Sequence, residues 1–211
     1  MNIVLFGKPG AGKGTQASRL AEALRVPSIA TGDVLRTAVR EGTPRGLEAK
    51  AFMERGDLVP DEVILAILKE AMATREFEEG AILDGVVRTI PQAEGLDRVL
   101  EDLDRRVDAV LAFEIEAEEL IDRLSRRTVC SACQTPHTGR EAGTACDNCG
   151  GTLVRRPDDE PDAVRTRLAV YDRQTAPVLD WYRDHGTRIA TIDAVGTVDE
   201  VTARALRALG Q

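Results

Sequence analysis

Aromatic residues are scarce in this 211-residue chain, which has four Phe, two Tyr and one Trp. A surface that binds nucleic acid by stacking bases needs aromatic side chains, so we do not expect one here. Long apolar runs are also missing, and none approaches the ~18 residues of a membrane-spanning helix. The first six residues lead into Gly7 without a basic start or an apolar stretch long enough for a signal sequence, so no secretory signal is expected.

Lysine is scarce as well, because only 4 of the 28 basic residues are Lys and the other 24 are Arg. Against 36 acidic residues they leave a net charge of −8, which argues against a general binder of nucleic acid or acidic membranes. Hydrophobic residues make up 43% of the chain, enough for a sizeable core and too many for a disordered protein. The guanidinium of arginine can donate two parallel hydrogen bonds to phosphate oxygens, so the positions of the arginines can indicate a phosphate-binding site.

The four cysteines form two close pairs, Cys130/Cys133 and Cys146/Cys149. In a chain without a secretory signal, this pattern indicates metal binding rather than disulfides, and we expect a cytoplasmic protein. The pairs are separated by twelve residues, which predicts a closed tetrahedral Cys₄ zinc site with a structural role. Two alternatives remain: a redox-active pair, or His137 in place of one cysteine, although His137 is more simply a side chain near a bound nucleotide.

Short apolar runs alternate with helical patterns along most of the chain. Runs that predict buried strands cover residues 3–6, 81–83, 109–113 and 188–192. Patterns that predict helices cover residues 14–25, 61–75, 91–103, 117–127, 162–185 and 198–209, with Pro177 interrupting the longest. This alternation is typical of an α/β fold with a parallel sheet and right-handed crossovers. Residues 30–60 and 128–160 do not follow this alternation of strands and helices, and we expect them to project from the core as insertions.

A glycine-rich loop follows the first predicted strand. It matches the phosphate-loop pattern at Gly7, Gly12 and Lys13, with Gly14 in place of the usual Ser/Thr and Thr15 next. Glycines let backbone N–H groups close around phosphate oxygens, the following helix adds positive potential, and Lys13 adds a point charge. The loop therefore predicts nucleotide binding, whereas the neighbouring Lys8 is expected to be an ordinary solvated lysine.

With this loop as its start, the chain resembles the adenylate kinases, the nucleoside monophosphate kinases of the long-lid, zinc-binding type. The matching stretches are residues 7–17, 31–36, 56–62, 84–93, 122–127, 156–159 and 165–168. The resemblance implies a phosphate-loop core with a five-stranded parallel sheet, formed by residues 1–29, 60–121 and 161–211. It also implies an AMP-binding insert at 30–59 (the 30–59 segment) and a zinc-containing lid at 122–160 (the lid segment).

The reaction that the resemblance implies is reversible transfer of the ATP γ-phosphoryl group to AMP, which gives two ADP. Such a transfer depends on placing two polyphosphates in line and neutralising charge. The residues implied in catalysis are Lys13, Asp84, Arg88, Arg123, Arg156 and Arg167. Those implied in ATP binding are Gly10, Ala11, Gly12, Lys13, Gly14, Thr15, Arg123, Arg127, Thr135, Pro136 and Gly196. Those implied in AMP binding are Thr31, Arg36, Asp57, Leu58, Val59, Gly85, Val86, Val87, Arg88, Gln92, Arg156 and Arg167.

Asp84 is implied to organise Mg²⁺ through water, with Asp33 a weaker candidate, since Mg²⁺ keeps several waters and takes few carboxylates. Arg123 and Arg127 are four residues apart in the predicted helix, so we expect them to lie on one helix face. The family's Tyr-His pair in the lid appears here as Pro136-His137, which weakens the case for base stacking there.

Val86-Val87 replaces the family's usual Phe-Pro, and we predict a trans peptide between them because a cis bond without proline costs ~2.5–4 kcal/mol. Thr89 and Gln92 still favour AMP as acceptor. One alternative is a kinase for another nucleoside monophosphate; a more distant one is a zinc-ribbon ATPase that binds nucleic acid. We expect a monomer whose partners are ATP, AMP and ADP, with no nucleic acid and no membrane.

Overall fold

The computed structural model describes all residues from 1 to 211. Its strands are β1 (Asn2–Phe6), β2 (Ser28–Ala30), β3 (Ala81–Asp84), β4 (Ala109–Glu114), β5 (Arg127–Cys130), β6 (Pro136–Thr138), β7 (Leu153–Val154) and β8 (Ile189–Asp193). Five of them form a parallel sheet in the order β2-β3-β1-β4-β8. This confirms the predicted α/β fold, and β2 is an edge strand that the sequence patterns did not predict.

Nine α-helices flank or extend this sheet. They are α1 (Lys13–Leu24), α2 (Thr31–Glu41), α3 (Pro44–Arg55), α4 (Asp61–Met72), α5 (Ile90–Glu101), α6 (Ala117–Ser125), α7 (Pro161–Val170), α8 (Ala176–Asp184) and α9 (Val198–Leu209). Single 3₁₀ turns occur at Arg75–Phe77 and Pro157–Asp159. No helix has both the length and the apolar character needed to cross a membrane.

The core consists of two apolar layers, one on each face of the sheet. Successive residues of a strand point to opposite faces, so Val4 and Phe6 enter one layer while Ile3 and Leu5 enter the other. The first layer has 18 buried residues, mainly from the sheet and from α4, α5 and α8; the second has 14 and includes residues of α1 and α9. Burial on both faces explains why the core strands read as continuous apolar runs.

The 30–59 segment contains two helices in backbone contact. A β-carbon added at Gly46 of α3 would lie 2.2 Å from the carbonyl carbon and oxygen of Ala38 in α2. Only glycine allows that approach, and Thr43 caps α3 by accepting a hydrogen bond from the Gly46 N–H at 3.1 Å. The two helices therefore pack tightly as a pair.

The lid segment has almost no apolar interior. Strands β6, β5 and β7 form a small antiparallel sheet in that order. Beneath it only Cys130, Cys146 and Leu153 form a buried cluster. Hydrophobic burial on this scale is too small to hold the sheet together by itself.

The structure corrects one helix prediction and refines another. The helix expected over residues 117–127 ends at Ser125, and Arg127 begins β5. The expectation that Arg123 and Arg127 share one helix face is therefore wrong. The helix expected over residues 162–185 is interrupted as predicted, by a π-helical turn at Tyr171–Thr175 just before Pro177. Proline has no N–H to give to the carbonyl four residues earlier, which favours an irregular turn there.

Candidate active site

The phosphate loop connects β1 to α1, as predicted. Gly10 has φ of +91°, and a β-carbon on it would lie 2.9 Å from Cγ of Leu124 in α6, so the position requires glycine. Within the loop, the Lys13 ammonium donates to the backbone carbonyls of Gly7 at 2.6 Å and Lys8 at 3.1 Å. The first N–H groups of α1 are left without intrahelical partners, which makes this end of the helix a site for anions.

The carboxyl ends of three neighbouring strands meet beside this loop. Asp84, the last residue of β3, is in register with Leu5 of β1 and Ala30 of β2. Burial raises the pKa of the Asp84 carboxyl, although Lys13 and Arg88 act in the opposite direction. Burial likewise lowers the pKa of Lys13 to about 8, against the attraction of Asp84. The two oppositely charged groups thus influence each other at the carboxyl edge of the sheet, where open α/β sheets bind ligands.

A cavity of about 680 Å³ opens above these strand ends, and we call it the cleft. Eight cationic side chains and four carboxylates line it, so its walls favour an anion of several charges. With two exceptions, every residue that the resemblance implied in ATP or AMP binding or in catalysis lines the cleft. The exceptions are Val86 and Val87, which lie in the apolar core, and Val87 also borders a small neighbouring cavity. The bond between them is trans, as predicted.

Two guanidiniums in the cleft have buried donors without a partner. Nε of Arg36 and Nε of Arg156 are both buried and make no hydrogen bond within the protein. Each guanidinium instead touches Asp33, which pairs with Arg36 in α2 and lies 3.7 Å from Nη2 of Arg156 in the lid segment. Burial and repulsion from Arg36 lower the pKa of Arg156 to about 10. A buried unpaired donor costs free energy, so both Nε groups gain from a bound oxyanion.

Arg127 and Arg167 are held by two neighbouring carboxylates. Asp159 accepts from Nε of Arg127 at 2.8 Å and from Nη1 of Arg167 at 3.2 Å. Asp158 lies 3.1 Å from Nη1 of Arg167. Burial alone would raise the pKa of Asp158, but Arg167 and the other guanidiniums around it keep that pKa below its usual value. We did not assign the two carboxylates a role from the sequence, although their positions two and three residues after Arg156 were a usable signal.

A polar network around the start of α5 holds the backbone of Arg88. The Gln92 amide accepts from the Arg88 backbone N–H and donates to Asp61, each at 2.7 Å. Thr89 also donates to Asp61 at 3.1 Å and caps α5. Arg88 donates from Nε to the Gly85 carbonyl at 3.2 Å. Asp61 is a third residue that the sequence interpretation missed, since it was noted only as part of a motif.

Thr31 links the start of α2 to the loop between β3 and α5, because its hydroxyl donates to the Gly85 carbonyl at 2.7 Å. Lys8, expected to be solvated, forms a partly exposed ion pair with Asp172 at 3.0 Å and stays outside the lining of the cleft.

Arg123 lines the cleft, as do Pro136 and Thr138 of the β5–β6 hairpin in the lid segment. Its guanidinium donates to Glu119 at 2.6 Å and to the Ala194 carbonyl at 3.1 Å. Pro136 and Thr138 line the cleft, whereas His137 between them does not. This corrects the simpler expectation that His137 lies beside the nucleotide.

The four cysteines come together beside this hairpin, and one of them, Cys133, also lines the cleft. All four sulfur atoms lie within 4.8 Å of one another, with Sγ pairs at 3.4 Å (Cys130–Cys149) and 3.7 Å (Cys133–Cys146). Zn–S bonds of about 2.3 Å in a tetrahedron place sulfur atoms about 3.8 Å apart, so the four thiols fit zinc. Hydrogen bonds from Thr135 lower the pKa of the Cys133 thiol to about 5, which favours the thiolate form that metals bind.

Comparison with known proteins agrees with this geometry. The model of the adenylate kinase family matches residues 5–187. An adenylate kinase of Gemmatimonas aurantiaca is 60% identical over 211 residues, with 99% of each chain covered. One of Streptomyces coelicolor is 47% identical over 99% of this chain and 98% of its own. One of Methanosarcina barkeri is 46% identical over 95% of this chain and 94% of its own. The glycine loop, the cleft and these matches together show that the chain belongs to the adenylate kinase family.

Proposed function

We propose that the cleft performs the reversible transfer of the ATP γ-phosphoryl group to AMP, and that the residues around it have the following roles. The observation that carries this proposal is the pair of buried, unpartnered Nε donors on Arg36 and Arg156 in a cleft lined by eight cations. Phosphate oxygens are the ligands that satisfy such donors and neutralise such a charge. Neither the alternative acceptors nor a nucleic-acid function is favoured by the comparisons.

Charge neutralisation is the main task of the chain in this transfer, because the phosphoryl group moves with little covalent help from the protein. We assign Lys13 and the N-terminal N–H groups of α1 to the ATP phosphates, together with Arg123 and Arg127. Arg36 and Arg88 are assigned to the AMP phosphate. Arg156 and Arg167 are assigned to the moving group. Asp158 and Asp159 hold the guanidiniums of Arg127 and Arg167 in place before substrate arrives.

Asp84 is assigned to the magnesium that accompanies ATP. Its carboxylate lines the cleft and accepts no hydrogen bond from the protein, so its oxygens are free for metal-bound water. Bound Mg²⁺ would supply further positive charge at the phosphates. Asp33 is a poorer candidate, because it already pairs with Arg36 and Arg156.

The acceptor base is assigned to the pocket beside α5. Gln92 is 1% exposed and already makes two hydrogen bonds, which leaves one N–H and one lone pair for a base edge. Thr31 and the backbone of residues 57–59 complete this pocket. Val86 and Val87 lie in the core, so their contribution is to shape the loop that ends in Arg88.

We assign a structural zinc to Cys130, Cys133, Cys146 and Cys149. The distances between their sulfur atoms support this, and so does the small apolar cluster of the lid segment, since metal binding would replace the missing core. The 30–59 segment and the lid segment are proposed to act as moving domains that close over the substrates. Four free thiols suit a reducing compartment, and we propose a monomer working in the cytoplasm.

The decisive test is a coupled assay of ADP formation with AMP, GMP, CMP and UMP as acceptors. AMP is expected to be preferred at least tenfold, which corresponds to ~1.4 kcal/mol. A better rate with a pyrimidine monophosphate would overturn the assignment of Gln92 and Thr31 to adenine.

A further inference from the structure

His137 lies in the middle of β6 with its ring turned away from the cleft. Its neighbours Pro136 and Thr138 line the cleft and it does not, as expected for alternation along a strand. On the other face of the hairpin, its Nε2 atom is 3.4 Å from Sγ of Cys146. The half-buried imidazole therefore meets a proposed metal ligand rather than a nucleotide.

The cysteine that it meets is one of the two buried members of the cluster. Cys146 is 3% exposed, and its sulfur also accepts the backbone N–H of Asn148 at 3.4 Å. Four thiolates around one zinc ion carry a net charge of −2, and N–H donors directed at the sulfurs spread that charge. Exposed sulfurs such as Cys133 can receive such hydrogen bonds from water, whereas a buried sulfur depends on donors from the protein.

We propose that His137 is a positioning residue for the zinc site: its Nε2–H donates a hydrogen bond to the Cys146 thiolate, and it is not itself a ligand. This inference depends on the proposed zinc site. Four sulfurs already complete a tetrahedron, so the ring is left as a donor to one of them. The same residue ties β6, whose other face borders the nucleotide, to the metal.

Two substitutions separate the hydrogen bond from simple packing. His137→Gln places an amide N–H at a reach similar to that of Nε2, whereas His137→Phe keeps a ring and removes the donor. Full-length zinc-loaded proteins would be mixed with a chromogenic chelator, and zinc transfer would be followed over time. His137→Phe is expected to weaken zinc binding by about 10–100-fold, while His137→Gln stays close to wild type. Equal zinc loss by the two variants would overturn the proposal.

Cobalt substitution tests whether His137 is a ligand. In wild type and in His137→Phe, Co²⁺ is expected to give the same absorption bands of a four-thiolate site. Bands that change with the loss of the imidazole would show ligation and contradict the proposal. ADP formation would be measured in parallel, to separate failure of this proposal from failure of the proposed kinase function. A wild-type protein that makes ADP but retains no zinc would contradict both the zinc site and the role of His137. The kinase assignment would then still stand.

Discussion

The central sheet and the lid segment are stabilised by different means, although they border the same cleft. The sheet lies between apolar layers of 18 and 14 buried residues. The buried cluster of the lid segment has three residues, and two of them are cysteines. The phosphate loop thus rests on a core that needs no ligand, whereas the arginines of the lid segment rest on a fold that we expect to need a metal. We therefore expect the core to be the more rigid and the lid segment the more mobile of the two regions.

Removing zinc should give the largest effect and should be confined to the lid segment. Structural zinc contributes about 10–16 kcal/mol in small zinc-binding peptides, so we expect the metal-free lid to unfold well below the melting temperature of the core. Trp181 is the only tryptophan and packs against the core, so its fluorescence reports the core alone. Hydrogen exchange would report the lid. A single unchanged transition after EDTA treatment would show that zinc is not structural.

The second-largest effects are expected from two matched leucine-to-alanine substitutions, one in the core and one in the lid segment. Leu111 of β4 and Leu153 of β7 are both fully buried. Leu111→Ala is expected to destabilise the whole core by about 2–5 kcal/mol, seen as a lower urea midpoint of Trp181 fluorescence. Leu153→Ala should leave that midpoint unchanged and speed zinc release instead. A shared drop in the Trp181 midpoint would mean that lid and core unfold as one unit.

The buried charge of Lys13 should make the stability of the core depend on pH. Its pKa is about 8 when folded and about 10.5 when unfolded, so the unfolded chain binds more protons between these values and the unfolding free energy rises with pH there. Relative to Lys13→Met, wild type should gain about 1–3 kcal/mol between pH 7 and pH 10. Urea unfolding of both proteins at the two pH values measures this difference, and parallel curves would contradict it.

The smallest effect is expected where the two inserted segments touch. Arg40 of α2 donates to the Ser131 carbonyl in the lid segment at 3.1 Å. Because Arg40 is exposed, Arg40→Ala should raise KM for both nucleotides only about twofold, or ~0.4 kcal/mol. Arg45→Ala is the control, since Arg45 pairs at 2.9 Å with Glu70 of α4, away from the lid. Identical KM values for the two variants would mean that the Arg40 contact does not contribute to closure.

Much of the core was predictable because its signals are local. The apolar runs at 3–6, 81–83 and 109–113 are buried on both faces, so their composition alone indicates strands. Ser28–Ala30 escaped notice because it has three residues and a single large apolar side chain, Ile29. It is a strand through its pairing with β3, which lies some fifty residues further along the chain.

The lid segment was harder to predict because it is organised by contacts that are distant in sequence. The helical spacing of Leu120 and Leu124 led us to extend the predicted helix to Arg127. In the structure Arg127 pairs with Thr138 and therefore belongs to a strand. The side chain of His137 was misplaced for the same reason, since the face that it takes depends on the register of β6. Within the site, the glycine loop and the arginines were recognisable from motifs, whereas the bracing roles of Asp61, Asp158 and Asp159 required coordinates.

The close approach of Gly46 to Ala38 makes helices α2 and α3 a rigid unit. At this point backbone meets backbone, and Leu35 of α2 and Ala49 of α3 belong to one buried cluster, so the two helices have little room to slide past each other. We therefore expect a displacement of Arg36 in α2 to be transmitted through α3 to Asp57, which lies just after the end of α3. If Arg36 binds the AMP phosphate as proposed, we expect α2 and α3 to move together, so that binding of the phosphate and enclosure of the base are coupled.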